Sequence, residues 1–269
     1  MRVNLPHTVL VEDLLSEPDQ KAREYGDIVA VGGDVTADSI LRAYSRGIFP
    51  MAMLVGEPDD DPGADTTHDG SADTTHDGSA DTTHDGSASM LAWWSPLARG
   101  VLPLGALKVS RSLAKSCRRF HVTVDRNFEQ VLRACADPNR DGVWIEDDFL
   151  AAYRELHERG YAHSVESRTR SGALVGGLIC VEQGGLVNGD SMFHWESDAS
   201  KVALVALVRL LCAAPAATGL PTWLGGRLLD VQWTTDHLSS LGAVDLPRGD
   251  YVGLLPAALS APPALAEFR

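Results

Sequence analysis

The chain has 269 residues, 44% of them hydrophobic, and a net charge of −14. That length is enough to bury a full core in one large or two small domains. The acidic total argues against a general polyanion binder, but the charge is uneven: Glu57 to Ala88 holds ten Asp and Glu and no Lys or Arg, which leaves −4 for the rest of the chain and room for local basic patches.

In chain order, Ile28 to Val31 is a short apolar run ended by Gly32-Gly33-Asp34. Thr36 is placed to cap a helix through Ile40, Leu41 and Tyr44 that Gly47 ends. Ala64 to Ser71, Ala72 to Ser79 and Ala80 to Ser87 are three copies of ADTTHDGS. With no apolar side chain larger than Ala, they cannot offset their ordering entropy, so 57–88 is expected to be a disordered acidic insertion in an N-terminal α/β domain spanning 1–107. A second domain is expected over 108–269. Its elements begin with a basic helix from Arg111 to Arg119 capped by Ser110, a strand from Phe120 to Val124, and helices marked by Phe128, Val131, Leu132 and Cys135 and by Phe149, Tyr153 and Leu156.

The centre of that domain is Leu174 to Leu211. Two strands, Leu174 to Val181 and Leu186 to Phe193, flank a Gln183-Gly184-Gly185 turn, and Ser197 or Asp198 caps a helix over Ala199 to Cys212. Polar residues crowd the strand-to-helix junction, where an α/β scaffold offers backbone donors and a pocket floor. Leu228 to Trp233 is a late strand, followed by a short helix from Asp236 to Leu241. Helices and strands mix without strict alternation, so the expected class is α+β with a mostly antiparallel sheet.

Cys117, Cys135, Cys180 and Cys212 form no C-x-x-C pair, as expected of free thiols in a reducing compartment. Met1 to Leu15 lacks an apolar leader, and the longest apolar stretch, Val202 to Ala214, is too short for a span and holds Arg209. A soluble cytoplasmic protein without a membrane role is expected.

Four patterns are candidates for chemistry. Arg111, Lys115 and Arg118 fall on one helix face, with Lys108 and Arg119 at its margins, which suits a phosphate-binding stripe or, more plainly, a solvated face. Asp230 and Gln232, two apart on a strand, point to the same side, where they either orient an amine or carbonyl or simply face solvent. His163, Ser164 and Glu166 do not make a hydrolase triad, because strand alternation separates the His from the other two. His68, His76 and His84 repeat because the octapeptide is duplicated, so no metal site is expected.

Taken together, the ordered blocks resemble the bacterial leucyl/phenylalanyl-tRNA protein transferase family. They include Gly32-Gly33-Asp34, Arg46-Gly47-Ile48-Phe49-Pro50, Trp93-Trp94-Ser95-Pro96, Ala162-His163-Ser164-Val165-Glu166, Asp190-Ser191-Met192-Phe193, Ala199-Ser200-Lys201 and Asp230-Val231-Gln232. The resemblance implies a small N-terminal domain, a GNAT-like acyltransferase domain, and transfer of Leu or Phe, or Met, from Leu-tRNA or Phe-tRNA to the α-amino group of proteins or peptides with N-terminal Arg or Lys, marking them for degradation. An ester is exchanged for an amide, which is downhill, so no cofactor is implied and positioning with oxyanion stabilisation supplies the rate.

Residue by residue, the resemblance makes Asp230 and Gln232 the catalytic pair and puts Arg111, Lys115, Arg118 and Arg119 on the tRNA acceptor stem. It makes Leu178, Val187, Met192 and Leu229 the apolar side-chain pocket, places Trp144 near the terminal adenosine, and adds Asp190, Ser191 and Glu166 to the substrate site. The family usually has Glu where Asp190 stands, Trp at Met51 and Ser-Arg at His194-Trp195, and the acidic repeat is expected to weaken tRNA affinity. Two other readings compete. A degenerate tRNA-binding protein would have lost turnover through those changes. An acyl-CoA-dependent N-acyltransferase would need a glycine-rich pyrophosphate loop, and Asp190 to Lys201 contains no glycine.

Overall fold

The computed structural model describes residues 26–55, 88–140 and 144–268. The repeats, and with them the expected disordered insertion, lie outside the described residues, apart from Ala88, which begins a strand.

A three-stranded antiparallel sheet has the order β1 (Ile28–Val31), β3 (Ala88–Trp94), β2 (Phe49–Val55). Helix α1 (Ala37–Tyr44) connects β1 to β2 along the chain, started by a Thr36–Ser39 capping box. β2 and β3 pair from Phe49↔Trp94 to Val55↔Ala88, so the acidic segment joins the two ends of a hairpin. Neither strand carries a clear sequence signature, because the acidic segment separates them.

The larger sheet has seven strands in the order β10 (Val244–Pro247), β4 (Ala98–Val101), β9 (Leu228–Gln232), β8 (Leu186–His194), β7 (Leu174–Gln183), β6 (Ala162–Arg168), β5 (His121–Val124). Every pair is antiparallel except β8 with β9, in agreement with the expected α+β class. β4 lies on the N-terminal side of the expected boundary at residue 107, yet it is a strand of the larger sheet.

Helices cover both faces. α5 (Ala199–Ala213) and α2 (Arg111–Arg119) pack on one side with Leu178, Cys180, Val187 and Leu229, while α3 (Phe128–Cys135) and α4 (Asp147–Glu158) pack on the other with Ile179 and Val181. A strand covered on both faces needs no polar alternation, which is why β7 reads as an almost continuous apolar run. α5 sits close because residue 176 is Gly; a Cβ there would lie 2.5 Å from Ala199 Cβ. α6 (Asp236–Leu241) and α7 (Arg248–Leu259) complete the chain. No helix among the described residues is long and apolar enough to cross a membrane.

Asp198 begins α5, but not by the expected side-chain cap. Its backbone is left-handed at φ +67°, and its carboxylate accepts Ser116 Oγ of α2 at 2.9 Å instead.

Candidate active site

The two parallel strands separate where the polar residues begin. β8 and β9 pair at Leu186↔Leu228, Val187↔Leu229 and Asn188↔Asp230, while β8 runs on to His194. Beyond that last pair a cavity of about 320 Å³ opens, at the small end for a ligand pocket and suited to a single side chain.

Two bulges shape the gap. Against β7, Cys180 pairs with Gly189 and Ile179 with Ser191, so Asp190 is the additional residue, and its side chain is re-aimed. Against β4, Val101 pairs with Asp230 and Gly100 with Gln232, so Val231 is additional. The chain then turns sharply: Trp233 N–H donates to the Val231 carbonyl at 2.8 Å around Gln232, whose φ is +60°. A non-glycine residue held there stores about 1–3 kcal/mol, and surrounding contacts must over-determine it. Asp230 supplies one such contact, accepting Gln232 N–H at 2.8 Å. Gly100 supplies space, since a Cβ there would lie 2.7 Å from the Trp233 carbonyl carbon.

Asp230 itself is fully buried. Arg99 Nε donates to its oxygens at 2.9 and 3.1 Å, Arg99 Nη2 at 2.5 Å, and Tyr251 OH at 2.5 Å. Arg99 is held between the rings of Phe49 and Tyr251, 4.6 and 4.8 Å from their centroids, and reaches the Gly47 carbonyl at 3.1 Å. Burial alone would lower the Arg99 pKa; the Asp230 carboxylate reverses that and keeps the guanidinium charged. The expectation that Asp230 and Gln232 share one face is therefore corrected. The bulge at Val231 and the turn at Gln232 separate them, so Gln232 lines the cavity and Asp230 does not.

Asp190 lies at the cavity wall. Tyr44 OH donates to its Oδ1 and Tyr153 OH to its Oδ2, each at 2.9 Å, and the two hydroxyls are 3.3 Å apart. Burial pushes the Asp190 carboxyl up to about 8, against the pull of the tyrosine hydrogen bonds and with a further push from the charge of Asp230. The Gln232 amide can be oriented in two ways about its terminal bond, and only the second satisfies both of its ends. In one, Nε2 donates to Asp190 Oδ1 at 3.4 Å; turned over, it donates to the carbonyls of Gly189 at 3.0 Å and Val231 at 3.2 Å, with its oxygen toward Asp190.

The 320 Å³ cavity brings together Leu178, Met192, Leu229, Ser191, Asp190, Trp144 and Gln232 of the expected residues. Val187 is not among its walls; it is buried in the core beneath α5. Glu166 is also elsewhere, fully buried on β6, where it accepts Asn127 N–H at 2.7 Å, Ser164 Oγ at 3.0 Å and the Thr123 hydroxyl. It ties β5 and the start of α3 to β6 and does not line the cavity.

Leu204 and Leu207 of α5, together with Leu238 and Trp233, add to the walls. Nothing in helical spacing distinguishes such positions from ordinary core. Sequence patterns do not single out Arg99, Tyr44, Tyr153 or Tyr251 either. Tyr44 and Tyr153 sat inside apolar helical patterns, and nothing local marks Arg99 as the partner of a residue 131 positions away.

A second cavity of about 120 Å³ adjoins the first, walled by Tyr44, Phe49, Pro50 and Met51, and shares Trp144, Asp190, Gln232 and Trp233 with it. On another side a trough of about 690 Å³ shares Arg140, Met192 and His237 with the main cavity and adds His194, Trp195 and Lys201. α2 adjoins this trough through Ser116–Asp198 and the Arg119–Glu196 ion pair. Arg111, Lys115, Arg118 and Arg119 are exposed, and only Leu113 of the helix is buried.

Residues 101–256 match the profile of the leucyl/phenylalanyl-tRNA protein transferase family, and residues 33–62 match that of its N-terminal domain. The leucyl/phenylalanyl-tRNA–protein transferase of Rhizorhabdus wittichii is 44% identical over 229 residues, covering 84% of this chain and 75% of the relative. Those of Syntrophotalea carbinolica and Nitratidesulfovibrio vulgaris are 40% and 37% identical over 256 and 266 residues, covering 93% and 97% of this chain and 92% and 95% of the relatives. A solved structure of L-PGS from Bacillus licheniformis aligns at 12% identity with a TM-score of 0.28, over 53% of this chain and 50% of its own, a likeness too low to assign a fold.

Proposed function

The chain belongs to the leucyl/phenylalanyl-tRNA protein transferase family, and from that premise we infer that it transfers Leu or Phe, with Met as a further donor, from aminoacyl-tRNA to the α-amino group of proteins or peptides beginning with Arg or Lys. The observation that carries this reading is the pair of cavities meeting at Gln232 and Asp190. The larger, mostly apolar cavity accepts the aminoacyl side chain, and the smaller one brings the acceptor amine to the same polar seam. Holding both reactants at one point supplies much of the rate for an ester-to-amide exchange. The three-residue turn presents the Gln232 amide to the reacting carbonyl or amine, where a fixed dipole stabilises developing charge.

The trough past Arg140 and Lys201 gives the single-stranded 3′ end a route from the cavity to α2, whose exposed basic face meets the acceptor-stem phosphates. In this reading Trp144 stacks near the terminal adenosine, Ser191 and Met192 border the bound aminoacyl group, and the seven-stranded sheet with its splayed parallel pair is a GNAT-like domain beside a smaller N-terminal one. Products of the reaction are degradation signals, and the four free cysteines fit a cytoplasmic setting.

The test is incorporation of radiolabelled Leu from Leu-tRNA into a peptide starting with Arg. Wild type is expected to be active, and Gln232→Ala and Asp230→Ala to lose about 100-fold or more in rate while tRNA binding persists. A wild type that binds tRNA without transfer favours the degenerate binding protein, and transfer from acyl-CoA in its place favours the acyl-CoA enzyme.

A further inference from the structure

Aminoacyl transfer must move a proton. When a neutral α-amine attacks the ester carbon, its nitrogen becomes positively charged and must shed a proton before the new amide is stable, and the departing ribose 3′ oxygen must gain one. Gln232 lies at the seam, but a carboxamide does not accept a proton at neutral pH. Asp230 is enclosed. Both its oxygens are taken up by Arg99, Tyr251 and the Gln232 N–H, and it lines neither cavity.

Asp190 is placed differently. It lines both cavities, as do Trp144, Gln232 and Trp233, and it alone of the four carries an ionisable side chain. We propose that Asp190 takes the proton from the attacking α-amino nitrogen and returns it to the departing ribose 3′ oxygen, while Asp230 is a positioning residue that holds the Gln232 turn. The inference rests on the aminoacyl-transfer reading above.

The step balances. The C–N bond forms, the N–H proton passes to Asp190, the C–O3′ bond breaks, and the Asp190 proton goes to O3′, leaving the carboxylate as it began. An acceptor that arrives as ammonium first loses one proton to solvent.

Four observations support the role. The bulge turns Asp190 out of the β-ladder toward the seam. Tyr44 and Tyr153 each engage one oxygen, fixing the carboxyl while leaving lone pairs free. With the Gln232 amide turned to satisfy Gly189 and Val231, its oxygen faces Asp190, a pairing that is favourable when Asp190 carries a proton. A carboxyl near 8 also matches an α-amino group, whose ordinary value is about 7.7–8.0, so transfer between them is nearly level in energy.

The groups around Asp190 are Tyr44 from α1, Tyr153 from α4, Cys135 from α3, Cys180 from β7, Arg99 from β4 and Asp230 from β9. Burial raises both tyrosines and both thiols. Across the cavity stand Arg140 and His237, the latter lowered chiefly by burial.

The experiment is single-turnover transfer from Leu-tRNA to an Arg-peptide between pH 6 and 9 for wild type, Asp190→Asn and Asp190→Glu, with circular dichroism as a check on folding. For wild type, log kcat/KM for the peptide is expected to rise with a slope near two below pH 7.5, one proton each from the amine and Asp190. In Asp190→Asn the slope is expected to fall to one and kcat to drop about 100- to 10,000-fold with tRNA affinity kept, while Asp190→Glu restores the slope of two. An Asp190→Asn enzyme with unchanged kcat, or a change confined to KM, overturns the proposal. So does a wild-type slope of one, which decides the matter even if the Asn variant does not fold. A wild type that makes no product refutes the transferase reading itself.

Discussion

Arg99 and Asp230 form an ion pair that only a well-fitted interior tolerates. Two charges leave water, and the loss is offset by a bidentate geometry, two aromatic faces over the guanidinium, the Gly47 carbonyl and the Tyr251 hydroxyl. Removing one partner leaves an unpaired buried charge. Arg99→Ala is therefore expected to lower stability by about 3–5 kcal/mol in urea titration. Arg99→Lys, which brings a point charge instead of a planar fork, should fall between that variant and wild type. The pair also shows what a sequence conceals. Asp230 and Gln232 drew attention by their spacing, but strand alternation placed them on one face, because neither a bulge nor a left-handed turn leaves a mark when the residue in it is Val or Gln.

The same limit acts on whole elements. The two strands flanking the central glycine turn and the long helix after them are legible because their apolar spacing persists over several turns or a whole strand, and the basic helix because Ser110 caps it and its Arg and Lys recur at helical spacing. β10 is not; its four residues are mostly exposed and include Pro247. α7 carries Gly249, Gly253 and Pro256, which break the helical signature although the helix supplies Tyr251 to Asp230. The turn at Gln232 has its own measurable signature. Glycine adopts φ +60° without penalty, so Gln232→Gly is expected to unfold at an equal or higher temperature than wild type, a gain of up to about 1 kcal/mol, while losing transfer activity. A variant that is both inactive and clearly destabilised would mean that the Gln232 side chain, not its backbone, holds the turn together.

Over the whole molecule, charge and connectivity decide how a polyanion approaches. The acidic segment bridges paired strand ends, Val55↔Ala88, and closing a longer hairpin loop adds little entropy cost, about 0.6 kcal/mol per doubling of length. Its −10 acts over a screening distance of about 8 Å at physiological salt. Filter-binding titrations with tRNA are expected to show tighter binding at low salt once Gly63 to Ala88 are deleted. In the same titrations Lys115→Ala and Arg118→Ala should each reduce the slope of log Kd against log salt by about one. An unchanged low-salt Kd in the deletion would remove any electrostatic role for the segment.

The seam between the two cavities is also a joint. Tyr44 comes from α1, the Gly47 carbonyl and Phe49 from the edge of the smaller sheet, Arg99 from a strand that precedes the body of the larger domain, and Asp190, Asp230 and Tyr251 from three elements far along the chain. A fragment cut at residue 108 would keep most of its own core yet leave Asp230 without its counter-charge and Asp190 without one of its two hydroxyls. The two sheets are thus not a catalyst with an accessory attached: they are the two jaws of one vice, and neither grips alone.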